Sequence, residues 1–351
     1  MRASLDASQG TVEPRSTTGD TGTSLPEPLV HLTVWDSPPM TPSSWRHGKG
    51  HSHAWNMSPE RPPDVTAPVR SLGMILHPLR DVAGPVRRIE DWAETHNVTV
   101  FGLPGEIARL TCRAVAVAEH VMAERADVLV ALGGDGTVLR AMRLAGPNAV
   151  PVLGVNLGKL GFLAEVDVAD LPNALTAMSE GRFAIEGRPA LDVKIADEHF
   201  SAFNDVVVVR VPGEGNADIE LAVQGAHFVS YAADAVIVAT PTGSTAYNFS
   251  AGGPIIDPSV SGIVVTPSSS HSIFNRSIIV NPSHLLTLTL MPSAGRLAVE
   301  VDGQVATHVA AGDTLTVTSY DDAARVVRLG HKTFYERARR KLGITGPAEL
   351  S

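Results

Sequence analysis

A short run, Gly133-Gly134-Asp135-Gly136-Thr137, stands between a continuous apolar stretch at 128–132 and a segment of helical spacing at 137–144. Such an apolar stretch reads as a strand covered on both faces. Glycines where a strand meets a helix let the backbone approach a ligand closely and adopt positive φ. The helix start offers free N–H groups and the positive end of its dipole, which suits phosphate. A carboxylate there repels phosphate, but it suits a general base that faces a hydroxyl and takes or orients its proton in phosphoryl transfer. On these residues alone a second reading fits equally well: a tight strand–helix turn with Asp135 as N-cap.

A longer run, from Ala239-Thr240-Pro241-Thr242-Gly243-Ser244-Thr245-Ala246-Tyr247-Asn248 to Phe249-Ser250-Ala251-Gly252-Gly253-Pro254-Ile255-Ile256-Asp257-Pro258, is dense in hydroxyls and glycines. A strand leads into it. Backbone and Ser/Thr donors in such a loop can cradle phosphate or ribose. Tyr247 offers a flat apolar face for a base or nicotinamide ring. The plainer alternative is a long surface loop with ordinary turn chemistry. Two familiar fingerprints are absent. Leu139 stands where a Gly-x-Gly-x-x-Gly would need its third glycine. The stretch from Gly154 to Leu160 resembles a Walker loop but is one residue short and lacks the Ser/Thr.

The elements that must position these runs alternate over the first half of the ordered chain. Spacing predicts strands at 72–76, 98–101, 128–132 and 152–155, and helices at 86–95, 107–125 and 137–144. Strand–helix alternation implies a parallel α/β sheet. Past residue 181 the helical spacing ends. Strands are expected at 191–195, 206–209, 219–223, 235–238, 278–280, 286–290, 298–301, 315–318 and 326–329, and a basic helix at 334–341. The expected organisation is therefore a tail at 1–68, an α/β nucleotide-binding domain at 69–180 and a β-rich domain at 181–329. The helix within 330–345 would pack back on the α/β domain. The tail is rich in Ser, Thr and Pro and poor in apolar periodicity, so it reads as disordered. It carries His47, His51 and His53 without a neighbouring Cys or carboxylate cluster, so no metal site is expected there. Met57 is a candidate later translation start.

Composition narrows the function classes. The chain has 351 residues, 44% of them hydrophobic, and a formal net charge of −9. An acidic balance argues against nucleic acid, which needs a basic stripe. The single cysteine, Cys112, permits no intrachain disulfide. It reads as a buried filler of the 107–125 helix, and the composition fits a reducing compartment. No apolar run approaches a membrane span, and no signal peptide is seen, so the cytoplasm is the expected location.

Six motifs occur in an order and spacing that resemble the NAD kinase family. They are the glycine–aspartate turn, Asn156-Leu157-Gly158-Lys159-Leu160-Gly161-Phe162-Leu163-Ala164-Glu165, Asn204-Asp205, Thr240 to Pro258, His271-Ser272-Ile273-Phe274-Asn275-Arg276, and Asp302-Gly303-Gln304. The resemblance covers about residues 70–345. It implies an α/β N-terminal domain with a parallel sheet plus a β-rich C-terminal domain, the two-domain fold shared with diacylglycerol kinases. It implies transfer of a phosphoryl group from ATP or polyphosphate to the 2′-hydroxyl of the adenosine ribose of NAD, giving NADP, with Asp135 as proton acceptor. By the same resemblance Gly133, Gly134 and Gly136 lie beside the dinucleotide, and Arg140 lies near substrate phosphates. Asn204 and Asp205 hold the adenosine. Asp234, Thr245, Ala246, Tyr247, Asn248, Phe249, Ser250 and Gln304 make further contacts, some across a subunit boundary. A divalent cation such as Mg2+ and a homodimer or homotetramer are implied as well, with no protein metal site, no nucleic acid and no membrane.

The chain departs from the family in having Asp205 where Glu is usual and Ala235 where Gly is frequent. Both bear on substrate selectivity. The same glycine–aspartate turn occurs in lipid kinases, which would add a basic or apolar docking segment; none is visible. A non-enzymatic NAD sensor would keep the ring-binding loop, and NAD binding without turnover would identify it.

Overall fold

Strand Ser71–Leu76 lies between Thr99–Gly102 and Val128–Gly133, and Pro151–Asn156 follows on the far side, all parallel. The computed structural model describes residues 69–158, 161–330 and 333–344. The expected tail, the histidines within it and Met57 lie outside these residues, as do Lys159 and Leu160 of the fourth-strand motif. Side chains alternate between two cores along the parallel strands. Leu72, Met74, Val128, Val130 and Leu132 enter one core, where helices Ala83–His96 and Leu171–Ser179 contribute Val86, Ile89, Trp92, Leu171 and Leu175. Ile75, Leu129 and Ala131 enter the other, where helix Asp135–Ala145 contributes Val138, Leu139, Ala141 and Met142. Each fully buried side chain of this size contributes about 1.5–3 kcal/mol, so the two-sided cover fixes both strand register and helix face.

The expected helix at 107–125 is corrected. The segment 107–125 is not a single helix: it forms a short helix Pro104–Ile107, a two-residue strand Val115–Ala116 and a helix Glu119–Arg125. Ile107, Leu110, Cys112 and Ala114 pack on one core, whereas Val117 and Met122 pack on the opposite one. The segment therefore rounds the edge of the sheet, where Val115 pairs with Phe101. No single helix face reaches both sides. Cys112 is a free, half-buried thiol outside any helix.

The C-terminal region is β-rich. Strands Asp205–Arg210 and Ala235–Ala239 sit at the centre of a six-stranded antiparallel sheet. Val206, Val208, Val236 and Val238 face a core shared with Leu191, Ile219, Leu221, Leu288 and Val317 of the larger sheet. Val207, Ala235, Ile237 and Ala239 face the other way, onto Ile256 of the 240–258 run. The larger sheet has twelve strands. In place of the two strands expected at 315–318 and 326–329, one strand runs Thr314–Arg328, with an irregularity between Tyr320 and Ala324 where Asp322 takes φ 51°. The polar Asp321-Asp322 pair marks a kink, not an end. The strand pairs with Leu286–Leu290 near its start and in parallel with Pro151–Asn156 near its finish. One sheet thus runs through both the α/β and the β-rich regions.

Helix Phe334–Leu342 is capped by Thr333, whose side chain accepts from the Glu336 N–H while Glu336 returns the bond, and it ends at Gly343 in the left-handed region. Phe334 lies 6.4 Å from Phe162, ring centre to ring centre. Arg337 is buried against Glu165 at 3.2 Å.

Candidate active site

Gly133 ends its strand, Gly134 caps the following helix in an extended conformation, and Asp135 is the first helical residue. Asp135 is therefore not the N-cap, and no side chain caps this helix. Gly133 is required by close approach: a Cβ there would overlap the Thr137 side chain. A Cβ on Gly134 or Gly136 would meet nothing, so this face of the turn is open to a ligand.

The Asp135 carboxylate is held from across the sheet end. Its Oδ2 accepts the Phe162 N–H and its Oδ1 the Leu163 N–H, each at 3.0 Å. Gly161 lies against it so closely that a Cβ there would overlap the carboxylate. The 156–165 motif, whose glycines resemble a phosphate loop, thus grips the acid. A carboxylate oxygen has two lone pairs, so each keeps one for a further partner. Below, Glu165 anchors the motif through buried ion pairs with Arg328 at 3.0 Å and Arg337 at 3.2 Å.

Arg140 leaves the same helix toward the end of Ser71–Leu76, where it donates to the Leu76 carbonyl at 2.9 Å and pairs with Glu106. Arg109 donates to the carbonyls of His77 and Pro78. Burial holds the His77 imidazole below its usual pKa, and the charges of Arg80, Arg109 and Arg140 push it the same way. Arg80, Arg109 and Arg140 thus gather at the carboxyl end of this strand, with Glu106 neutralising part of their charge.

Asn204 precedes and Asp205 opens the strand that pairs with Ala235–Ala239, and Asp205 lies opposite Ala239. Thr240 closes the corner: its N–H bonds the Asn204 carbonyl at 2.9 Å and its hydroxyl the Phe203 carbonyl at 2.6 Å. Gly243 passes over Asn204 with no room for a Cβ. Asp205 is 3% exposed. Burial pushes its carboxyl up to about 7, with help from the neighbouring Asp302 charge, while the Tyr247 backbone N–H works against the shift.

The 240–258 run is built on its own polar residues. Ser244 donates to the Pro241 carbonyl and accepts the Ile256 N–H at 2.9 Å. Asn248 is fully buried: its Nδ2 donates to the Ser244 and Pro254 carbonyls, each at 2.9 Å, and its Oδ1 accepts the Thr266 hydroxyl at 2.6 Å. Its amide is spent on holding the loop. Tyr247 and Phe249, on either side, are exposed, as is Ser250; Thr245 and Ala246 are half-buried. Arg188, wholly buried, supports the run by donating to Thr242 Oγ1 at 3.1 Å, and burial together with the Arg328 charge lowers its pKa to about 10.

One site residue inferred from sequence stands at the far end of its strand. Asp234 pairs with Arg210, and the hydrogen bond from Arg210 holds its carboxyl below the usual range. It precedes Ala235, the opposite end of the strand from Ala239 and Asp205, roughly 17 Å away at the usual rise per residue. Gln304 is exposed just past Gly303, two residues from Asp302. Sequence reasoning gives no role to Arg143, nor to Asp302 and Gly161, which it names only as members of motifs. Among the described residues no group of three or more His, Cys, Asp or Glu is arranged to hold a metal.

Two family models match the chain: the ATP-NAD kinase N-terminal domain over residues 85–183 and the ATP-NAD kinase C-terminal domain over residues 203–329. The NAD kinase of Heliobacterium modesticaldum is 36% identical over 278 residues, spanning 78% of this chain and 98% of that one. NAD kinase 1 of Streptomyces avermitilis is 33% identical over 323 residues, spanning 81% and 90%. Among solved structures, yeast NADH kinase complexed with NADH superposes with a TM-score of 0.71 at 25% identity, covering 81% of this chain and 91% of that one. An NAD kinase from Archaeoglobus fulgidus in complex with ATP shares the fold, with a TM-score of 0.63 at 24% identity, covering 79% and 100%.

Proposed function

Since the chain belongs to the NAD kinase family and is an enzyme of that activity, we propose that Asp135 is its general base. In this reading the acid takes the proton of the 2′-hydroxyl on the adenosine ribose of NAD as that oxygen attacks the terminal phosphoryl group of the donor. The P–O bond to the leaving phosphate breaks as the new P–O bond forms, and NADP results. The observation that carries the reading is the seat of the Asp135 carboxylate, gripped by the Phe162 and Leu163 N–H groups beside an open glycine turn. Positioning and charge supply most of the catalysis in phosphoryl transfer, and a doubly held carboxylate is a positioned one.

The donor is ATP, with inorganic polyphosphate as a second candidate. Its phosphates lie toward the helix N-terminus at Gly134–Gly136 and the carboxyl end of Ser71–Leu76, where Arg140 sits. Magnesium bound with the donor phosphates would neutralise charge on the transferred group. Asn204 and Asp205 take the adenosine, and Tyr247 stacks on a ring of NAD. Asp234, a strand's length from Asp205, serves a second copy's site in a homodimer or homotetramer. Among the described residues no helix is long and apolar enough to cross a membrane; the lone cysteine fits the cytoplasm. The matched relatives named above are NAD or NADH kinases, and the lipid-kinase reading finds no support among them.

The test is formation of NADP from NAD, ATP and magnesium by the purified chain, followed with an NADP-specific dehydrogenase. Parallel reactions with polyphosphate and with NADH define donor and acceptor. Product from the wild type and its loss in Asp135→Asn, with NAD binding kept, support the assignment. Near-wild-type turnover in that variant overturns it.

A further inference from the structure

The Asp302 carboxylate is fully buried and is the meeting point of three distant segments. Its Oδ1 accepts the Asn204 N–H at 2.6 Å and the Asp205 N–H at 3.3 Å, and its Oδ2 accepts the Phe203 N–H at 3.1 Å. On Oδ2 it also receives Arg143, through Nε at 3.3 Å and Nη2 at 3.1 Å. The Asp302 N–H returns a bond to the Asp205 carbonyl at 2.9 Å. Asp302 reaches this geometry from φ 47°, a left-handed conformation that Asp and Asn tolerate better than other side chains. Arg143 lies on the helix that begins with Asp135, two turns further on, roughly 12 Å along the axis.

We propose that Arg143 and Asp302 are positioning residues for NAD, a strut that fixes the segment Phe203–Asp205 relative to the helix carrying Asp135. The inference rests on the reading of that segment as the adenosine site. Neither side chain needs to touch the dinucleotide. Asp302 holds the backbone that presents Asn204 and Asp205, and Arg143 ties that carboxylate to the catalytic helix. An ordinary packing contact would be served by apolar side chains. A buried carboxylate shared between three N–H groups and a guanidinium instead sets direction and charge together.

The charge has its own consequence. Asp205 faces Glu300 from the neighbouring strand, Asp302 from the turn that follows it, and the Tyr247 N–H from the 240–258 run; Arg143 reaches it only through Asp302. Asp302 raises the Asp205 pKa, and the opposite charge of Arg143 sits on that carboxylate. Removing Arg143 therefore drives the Asp205 pKa further up, whereas removing the Asp302 charge lets it fall. An ionised Asp205 accepts a hydrogen bond from an adenosine hydroxyl or amino group, so NAD capture weakens as pH falls through that pKa.

The experiment compares the full chain with Arg143→Gln, Arg143→Lys and Asp302→Asn, measuring kcat and the KM for NAD between pH 5.5 and pH 9, and NAD binding by calorimetry. Misplacing a reacting group by about an ångström costs up to about a hundredfold, so Arg143→Gln is expected to raise the NAD KM about tenfold. Its acid limb in kcat/KM should move to higher pH, the limb of Asp302→Asn to lower pH, and Arg143→Lys should recover most of the NAD affinity. Opposite shifts would not follow from loosened packing alone. Unmoved pH limbs in both Arg143→Gln and Asp302→Asn, or NAD affinity in Arg143→Gln equal to wild type, overturn the strut. Should Asp302→Asn not fold, the Gln and Lys variants at Arg143 decide alone. Absence of NADP from the wild type would defeat the proposed reaction instead, and calorimetric NAD binding by the same variants still reads the strut.

Discussion

Asp135 and Asp205 both stand at the ends of strands and both face NAD in the proposed reaction, yet their housings are opposite. Asp135 is half-buried, begins a helix and meets N–H donors from a glycine-bearing loop. Asp205 is 3% exposed and meets a second carboxylate, which, after burial, is the next cause of its raised pKa of about 7. The difference separates two tasks. A base must be reachable, aimed and held at a fixed distance from the hydroxyl it serves. A residue that recognises adenosine can be enclosed, because a desolvated acceptor discriminates strongly against a ligand that leaves it unpaired.

The largest effect that would sharpen this contrast is on turnover. Asp135→Asn keeps the size and most of the hydrogen-bonding of the side chain but cannot accept the proton. Its kcat is expected to fall by about a hundredfold to ten-thousandfold, with NAD binding near wild type. Equal losses of binding and turnover would place Asp135 among the binding groups and erase the distinction.

Next in size is Gly161→Ala, which leaves the acid itself intact. A Cβ at this position overlaps the Asp135 carboxylate, so the acid or the loop must move. Displacement of this kind is expected to lower kcat by about tenfold to a hundredfold while the protein stays folded. An unchanged kcat would mean that the 156–165 loop does not set the aim of the acid.

Sequence reasoning reached the two acids by different routes and missed what lies between them. The glycine–aspartate turn was legible because a buried strand, glycines and a helix start leave few conformations open. Asn204-Asp205 came only through resemblance. The strut from Arg143 to Asp302 was not legible: the partners are 159 residues apart, and no local pattern marks which arginine on a helix meets a distant turn. The same blindness explains the 107–125 segment. Its apolar spacing fits one helix, but spacing does not say that Ile107 and Met122 belong to cores on opposite faces of a sheet. Asn248 shows the converse. It lies inside a motif that resembles a binding loop, and its burial reveals a brace between two exposed aromatics.

Tyr247→Ala tests the recognition side more gently. The ring is exposed beside the backbone N–H that faces Asp205, so its loss removes a stacking face without opening the core. The NAD KM is expected to rise by about tenfold or less, with kcat nearly unchanged. A fall in kcat at constant KM would move Tyr247 from recognition to chemistry.

The smallest expected effect is on stability, and it has a sign. The Asp205 carboxyl has an ordinary value of 3.8 and is raised to about 7 in the fold. Below pH 3.8 the group is protonated folded or unfolded and costs nothing. As pH rises through the window up to about 7, the folded protein keeps a proton that the unfolded chain has released, so stability falls with pH. Above that window the full cost of a buried carboxylate beside Asp302 is present. Asp205→Asn removes the charge while its amide oxygen can still accept from the Tyr247 N–H. Relaxation around the group reduces the cost to on the order of 1–2 kcal/mol, which corresponds to a Tm rise of about 2–6 °C. That rise should appear at pH 8 and vanish toward pH 4, alongside weaker NAD capture. A Tm difference independent of pH would mean that Asp205 is not enclosed with an unneutralised charge, and the contrast with Asp135 would then rest on position alone.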